Sequence, residues 1–134
     1  MQAKRIDHVV VAVSDLEQAL ATYQQNFGFQ HVGGGEVPVL GVRNAYLQIG
    51  DACIELVTPL AQEGPVAKFL AERGSGLYLL SLEVENLDAA VAELRAQGMR
   101  VQVVTGPGDT RLAFVSPKAT HGVLLQLVEQ RTQT

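Results

Sequence analysis

The stretch Ile6-Asp7-His8-Val9-Val10-Val11-Ala12-Val13-Ser14-Asp15-Leu16-Glu17-Gln18-Ala19-Leu20 decides the fold. It opens as a β-branched apolar run, passes a capped turn and starts an amphipathic helix. The same statement returns at Leu77-Tyr78-Leu79-Leu80-Ser81-Leu82-Glu83-Val84-Glu85-Asn86-Leu87-Asp88-Ala89-Ala90-Val91. Val13-Ser14-Asp15-Leu16 lies over Val84-Glu85-Asn86-Leu87 at an offset of 84 − 13 = 71, and Ala19 then falls on Ala90 and Leu20 on Val91. The chain is therefore a duplicated module.

The duplication also singles out four positions. His8 maps onto Leu79, and Glu55, in Ala52-Cys53-Ile54-Glu55-Leu56-Val57, maps onto Gln126 in Gly122-Val123-Leu124-Leu125-Gln126-Leu127-Val128. The first half holds an imidazole and a carboxylate where the second holds an aliphatic group and a neutral amide. Both are good metal donors and also a natural acid–base pair.

Outward from the opening stretch, residues 7–13 are apolar on both faces, as in a strand covered on two sides. Ser14-x-x-Glu17 reads as a capping box, and Leu16, Ala19, Leu20 and Tyr23 recur at helical spacing. The helix is expected to end near Asn26, before a left-handed turn at Gly28. A strand begins at residues 30–32 and is expected to break into a mobile loop at Gly33-Gly34-Gly35, without the flanks of a phosphate-binding loop. Residues 42–49 and 52–57 form a hairpin about Gly50-Asp51. Pro65 opens a short helix over residues 66–72.

In the second half, strands are expected at residues 77–84, 100–104, 111–115 and 123–128, with a helix over 87–96. The tail, 129–134, reads as polar and frayed. Each module is strand, helix, strand, strand, strand. Parallel winding is excluded, because the last three strands of each half leave no room for crossover helices. The expected class is α+β: two tandem βαβββ modules form a curved mixed sheet, a half-barrel around a central cavity with the helices outside. Residues 1–134 are expected to make a single domain, with module one at 5–60, a linker with its short helix at 61–76 and module two at 77–129.

The 134 residues are 47% hydrophobic and 18% charged, enough for one core and too apolar for disorder. The net charge is −4 and the cations are scattered, which argues against nucleic acid as a partner. The single cysteine, Cys53, excludes an internal disulfide and fits a reducing compartment. One basic pair followed at once by strand residues, with no h-region and no long apolar span, leads us to expect a soluble cytoplasmic protein without membrane partners.

The residues just described resemble the vicinal-oxygen-chelate superfamily, which includes glyoxalase I, bleomycin-resistance proteins and extradiol dioxygenases, and within it most nearly the methylmalonyl-CoA epimerases. The resemblance spans almost the whole chain. It is carried by Ile6-Asp7-His8-Val9, Glu36-Val37-Pro38 with Gly41-Val42, Glu55-Leu56-Val57-Thr58-Pro59-Leu60 and Pro65-Val66-Ala67-Lys68-Phe69-Leu70. Leu82-Glu83-Val84, Arg111-Leu112-Ala113-Phe114 and Pro117-Lys118 through Gly122-Val123-Leu124-Leu125 continue it.

The resemblance implies a divalent metal (cobalt, zinc, nickel or manganese) with ligands at His8, Glu55, Leu79 and Gln126. The family has a His where Leu79 stands and a Glu where Gln126 stands. His8, Glu55 and Gln126 are the remaining metal candidates, and the lost donors predict that no metal is tightly bound.

Two functions compete. One is an epimerase-like or lyase-like enzyme for a small acyl or carbonyl compound, with His8 and Glu55 as catalytic residues and weak or absent metal dependence. The other is a metal-free protein of the bleomycin-resistance type that sequesters a small molecule. No tryptophan is present, so a large planar ligand would lack stacking surface.

An inward Glu55 needs a partner, and His8 is the natural one. Cys53 shares its face with nothing adjacent to activate the thiol. Asn44, Tyr78, Leu79, Ser81, Arg111 and Gln126 are the candidate substrate-binding residues. Arg111 and Lys118 could meet an anion or be rim charges, and His31 and His121 read as surface residues. A homodimer is expected from the resemblance and from open sheet edges.

Overall fold

A computed structural model describes residues 1–129. The elements run β1 (Ala3–Ala12), α1 (Leu16–Phe27), β2 (Gln30–Val37), β3 (Val42–Ile49), β4 (Ala52–Pro59), α2 (Pro65–Arg73), β5 (Gly76–Val84), α3 (Leu87–Ala96), β6 (Val101–Thr105), β7 (Arg111–Val115) and β8 (Leu125–Glu129). The class is α+β, and the strand-helix-strand-strand-strand order is written twice, with α2 between the copies.

The chain divides into two compact units, His8–Tyr78 and a second that joins Met1–Asp7 to the chain from Leu79 onward. In the first, the strand order is β2-β3-β4-β1. The last residues of β1 pair in parallel with β4, Val10 opposite Glu55, while β3 and β4 are antiparallel with Tyr46 opposite Glu55. Helix α1 covers one face, where Val13, Leu16, Ala45, Leu47 and Leu56 form the core. Each of the valine and leucine side chains taken fully out of water contributes about 1.5–3 kcal/mol. The segment expected as a linker is part of this unit, with α2 packed on β4.

In the second unit the order is β5-β8-β7-β6, with the opening residues of β1 beside β5. There Arg5 Nε donates to Glu83 Oε2 at 3.1 Å. Strands β5 and β8 are parallel with Ser81 opposite Gln126, and β7 and β8 antiparallel with Phe114 opposite Gln126. Helix α3 closes a core of Val84, Leu87, Ala90, Val91, Ala113, Val115 and Leu127, to which Val101 adds. The duplication thus extends to register. Val10↔Glu55 becomes Ser81↔Gln126, since 10 + 71 = 81 and 55 + 71 = 126.

Four expectations are corrected. The N-cap of α1 is Asp15, whose side chain accepts from Gln18 N, and not Ser14. Ser14 instead turns to Ser75, whose Oγ accepts from its backbone N–H at 3.2 Å. The glycine triplet is no loop: β2 runs through it to Val37, with a register shift between His31 and Gly33. A Cβ on Gly34, at φ +136°, would lie 2.3 Å from the backbone oxygen of Asn44, so glycine is what lets β2 approach β3. Strand β8 starts two residues late, at Leu125, and includes Glu129, whose carboxylate accepts from Leu87 N at 2.9 Å at the start of α3. The rest of the tail expected to fray, 130–134, lies outside the described residues.

Candidate functional site

Strand alternation sorts the first unit into two faces. Val11, Val13, Ala45, Leu47, Ile54 and Leu56 go to the α1 core. His8, Asn44, Tyr46, Cys53 and Glu55 therefore project from the opposite face. Parallel pairing sets Val10 beside Glu55, and antiparallel pairing sets Tyr46 on its other side.

On that face His8 Nε2 stands 3.2 Å from Glu55 Oε1, and the two side chains are only 15% and 13% exposed. The second carboxylate oxygen is also engaged: Asn44 Nδ2 donates to Glu55 Oε2 at 3.0 Å. Asn44 is itself held at both ends. Its Nδ2 lies 3.3 Å from the Tyr46 hydroxyl, and its Oδ1 accepts from Gly35 N at 3.1 Å. A half-buried carboxylate has thereby gained donors on both oxygens, the condition under which such a group is tolerated away from water. A carboxylate facing an imidazole can share one proton with it and stabilises the imidazolium once the ring is charged.

The sequence-predicted residues separate as follows. His8, Glu55 and Asn44 come together, but the Asn44 amide is committed to holding Glu55 rather than open to a ligand. Tyr78 lies on the side of β5 opposite Leu79 and Ser81 and meets Phe69 of α2 edge-on, with ring centroids 5.2 Å apart. Burial pushes its phenol above the usual tyrosine value. Arg111 is exposed and paired with Asp88 of α3, which holds its guanidinium above its ordinary pKa. In the second unit Leu79, Ser81 and Gln126 are all buried, and the Ser81 hydroxyl has no hydrogen-bond partner. Cys53 Sγ lies 3.7 Å from the Ile54 carbonyl oxygen. His31 is exposed and bonded to the Gly33 oxygen, and His121 is exposed in a turn. Tyr46 was not among the sequence candidates. Its only signal is alternation with Asn44, and that becomes informative once β3 is paired with β4.

A divalent metal is the group the resemblance implies, and the donors present do not fit it. A catalytic ion needs about three protein ligands and an open position. Among the described residues no group of three or more His, Cys, Asp or Glu stands together. His8 and Glu55 are bonded to one another, Leu79 offers no donor, and Gln126 offers a neutral amide.

The profile of the Glyoxalase/Bleomycin resistance protein/Dioxygenase superfamily matches residues 7–114, and the chain belongs to that superfamily. Mitochondrial methylmalonyl-CoA epimerase of Homo sapiens is 34% identical over 127 residues, covering 92% of this chain and 72% of that protein. The crystal structure of methylmalonyl-CoA epimerase from Mycobacterium tuberculosis superposes with a TM-score of 0.88 at 36% identity, over 97% of this chain and 90% of the other. A Streptomyces coelicolor methylmalonyl-CoA epimerase, solved in complex with 2-nitronate-propionyl-CoA, gives a TM-score of 0.88 at 31% identity over 98% and 100%.

Proposed function

We propose that this protein carries out proton transfer next to the carbonyl of a small acyl-CoA thioester, as an isomerase-type or lyase-type member of its superfamily, with little or no dependence on metal. The observation that carries the reading is the His8–Glu55 pair, held 3.2 Å apart and braced by Asn44. The relatedness to methylmalonyl-CoA epimerases supports the substrate class. In this reaction the C–H bond beside the thioester carbonyl breaks and its electron pair becomes the enolate. The proton goes to the His8–Glu55 pair, whose carboxylate offsets the positive charge on the imidazole, and is later returned to the carbon. A homodimer belongs to the same reading, supported by the edge strands β2 and β6.

The test is deuterium wash-in. Methylmalonyl-CoA is incubated with the protein in heavy water, with and without a strong chelator, and exchange at the carbon beside the thioester is followed by NMR. Exchange well above the buffer rate, insensitive to the chelator and abolished in His8→Ala and Glu55→Gln, is the expected result. Exchange at the buffer rate would sink the proton-transfer reading. Loss on chelation would show that a metal supplies the electrophile.

A further inference from the structure

The His8–Glu55 pair can take a proton, but removing one from the carbon beside a thioester also places negative charge on the carbonyl oxygen. Stabilising such developing charge is usually the largest catalytic term. Asn44 is engaged elsewhere, since its amide nitrogen donates to Glu55 Oε2 at 3.0 Å and lies 3.3 Å from the Tyr46 hydroxyl. Tyr46 is the next group along. It pairs with Glu55 in the β3–β4 register, lies two residues beyond Asn44 and so on the same side of β3, and is half-buried rather than enclosed. His8, Asn44, Tyr46 and Glu55 all belong to the unit His8–Tyr78. An amide nitrogen only donates, so the phenol oxygen is the acceptor of the Asn44 contact and the hydroxyl keeps its own function as a donor. The shared nitrogen holds the hydroxyl oxygen within 6.3 Å of Glu55 Oε2, the most that 3.0 and 3.3 Å can span together. An enolate fits such a span, with its base about 3 Å from the reacting carbon on one side and a donor about 3 Å from the oxygen on the other.

We infer that the Tyr46 hydroxyl is the oxyanion donor of the reaction, hydrogen-bonded to the thioester carbonyl oxygen as that oxygen becomes the enolate. The role deepens the acyl-CoA reading and rests on it. The C–H bond breaks towards the His8–Glu55 pair, its electron pair forms the carbon–carbon double bond, and the carbonyl pair moves onto oxygen. The phenol keeps its proton throughout, and return of the carbon's proton reverses the step. A hydrogen bond to a charged oxygen is stronger than one to a neutral carbonyl, so the contact gains as the transition state forms.

Deuterium exchange on methylmalonyl-CoA, joined to calorimetry with two probes, tests the role. Tyr46→Phe keeps the ring and removes the hydroxyl. It should lower kcat for exchange about 100-fold, the loss typical of one oxyanion donor, with KM changed by less than about threefold. The probes are propionyl-CoA, whose thioester is neutral, and 2-nitronate-propionyl-CoA, whose planar carbon beside the thioester carries delocalised negative charge as the enolate does. Tyr46→Phe should lose about tenfold or more in affinity for the nitronate and about twofold or less for propionyl-CoA. A residue that only supported Asn44 would lower exchange and leave the ratio of the two affinities unchanged. Should Tyr46→Phe fail to fold, 3-fluorotyrosine in place of Tyr46 keeps the acceptor for Asn44 and strengthens the O–H donor, so the preference for the nitronate should rise. Exchange within about threefold of the parent's, or an unchanged ratio of affinities in the variant that folds, would overturn the role and leave the acyl-CoA reading intact. A parent that exchanges no faster than buffer removes that reading, and the role with it.

Discussion

Asn44 donates its side-chain amide to Glu55 Oε2 at 3.0 Å, across the antiparallel pair β3–β4, while its own carbonyl accepts from Gly35 N. The contact fixes the carboxylate so that its other oxygen faces His8. Removing the donor leaves a half-buried carboxylate oxygen unsatisfied, at a cost of about 1–3 kcal/mol. Asn44→Ala should therefore unfold at lower urea by about that amount and lose most of its deuterium exchange. Asn44→Asp should lose exchange as well, because it replaces the amide donor to Glu55 Oε2 with an acceptor of like charge. Exchange equal to the parent's in both variants would mean that Asn44 does not position the carboxylate.

The parts of this arrangement that could be read from the sequence are those the duplication repeats. The offset that lays Glu55 on Gln126 marked both as special before any strand was paired, and the pairing then showed the same register in each copy. Residues whose role depends on the partner strand were not legible. Asn44 and Tyr46 become neighbours of Glu55 through the β3–β4 register alone. The glycine triplet looked like a loop because glycine is locally permissive, and its use, close approach to Asn44 and Ala45, is a tertiary fact. Ser14 and Asp15 are both good caps, and Ser75, some sixty residues on, takes up the first. Arg111 and Tyr78 read as ligand contacts in the sequence, and their pairings with Asp88 and Phe69 emerge only with the strand faces.

Gly34 should resist substitution more than its neighbour Gly33. A Cβ on Gly34 meets the Asn44 oxygen at 2.3 Å and the Ala45 Cα at 2.8 Å, both backbone atoms that cannot swing aside, whereas a Cβ on Gly33 meets nothing within 4 Å. Gly34→Ala is expected to cost about 2 kcal/mol or more from strain and displaced backbone, and to weaken exchange by shifting Asn44. Gly33→Ala should cost clearly less. Chemical denaturation of the two variants side by side checks this, and equal losses would show that β2 yields freely at both positions.

The metal expectation follows from donors alone. After incubation with excess cobalt(II) and desalting, the protein should retain no stoichiometric metal, because its imidazole and carboxylate are bonded to one another and no third anionic or imidazole ligand joins them among the described residues. Elemental analysis gives the stoichiometry. One cobalt per chain, lost in His8→Ala, would overturn the metal-independent reading and recast Glu55 as a ligand.

Tyr78 gives the fold an alkaline limit. Its ring packs edge-on against Phe69, over which the Arg73 guanidinium sits at 5.6 Å from the centroid. Burial disfavours the phenolate and raises the pKa above 10.0 in the folded chain. Because the folded state holds the proton more tightly than the unfolded one, the contribution is fully present below the unfolded pKa. It is lost as the pH rises through the folded value, when the unfolded chain releases a proton that the native one retains. Stability should therefore decline from about pH 10 upward. Tyr78→Phe keeps the ring contact and removes the titrating group. Its melting temperature should track that of the parent at about pH 8–9 and exceed it increasingly above about pH 10. Thermal melts of both proteins across that range decide the point. Parallel curves would mean that the hydroxyl reaches water in the native state and that the alkaline limit lies elsewhere.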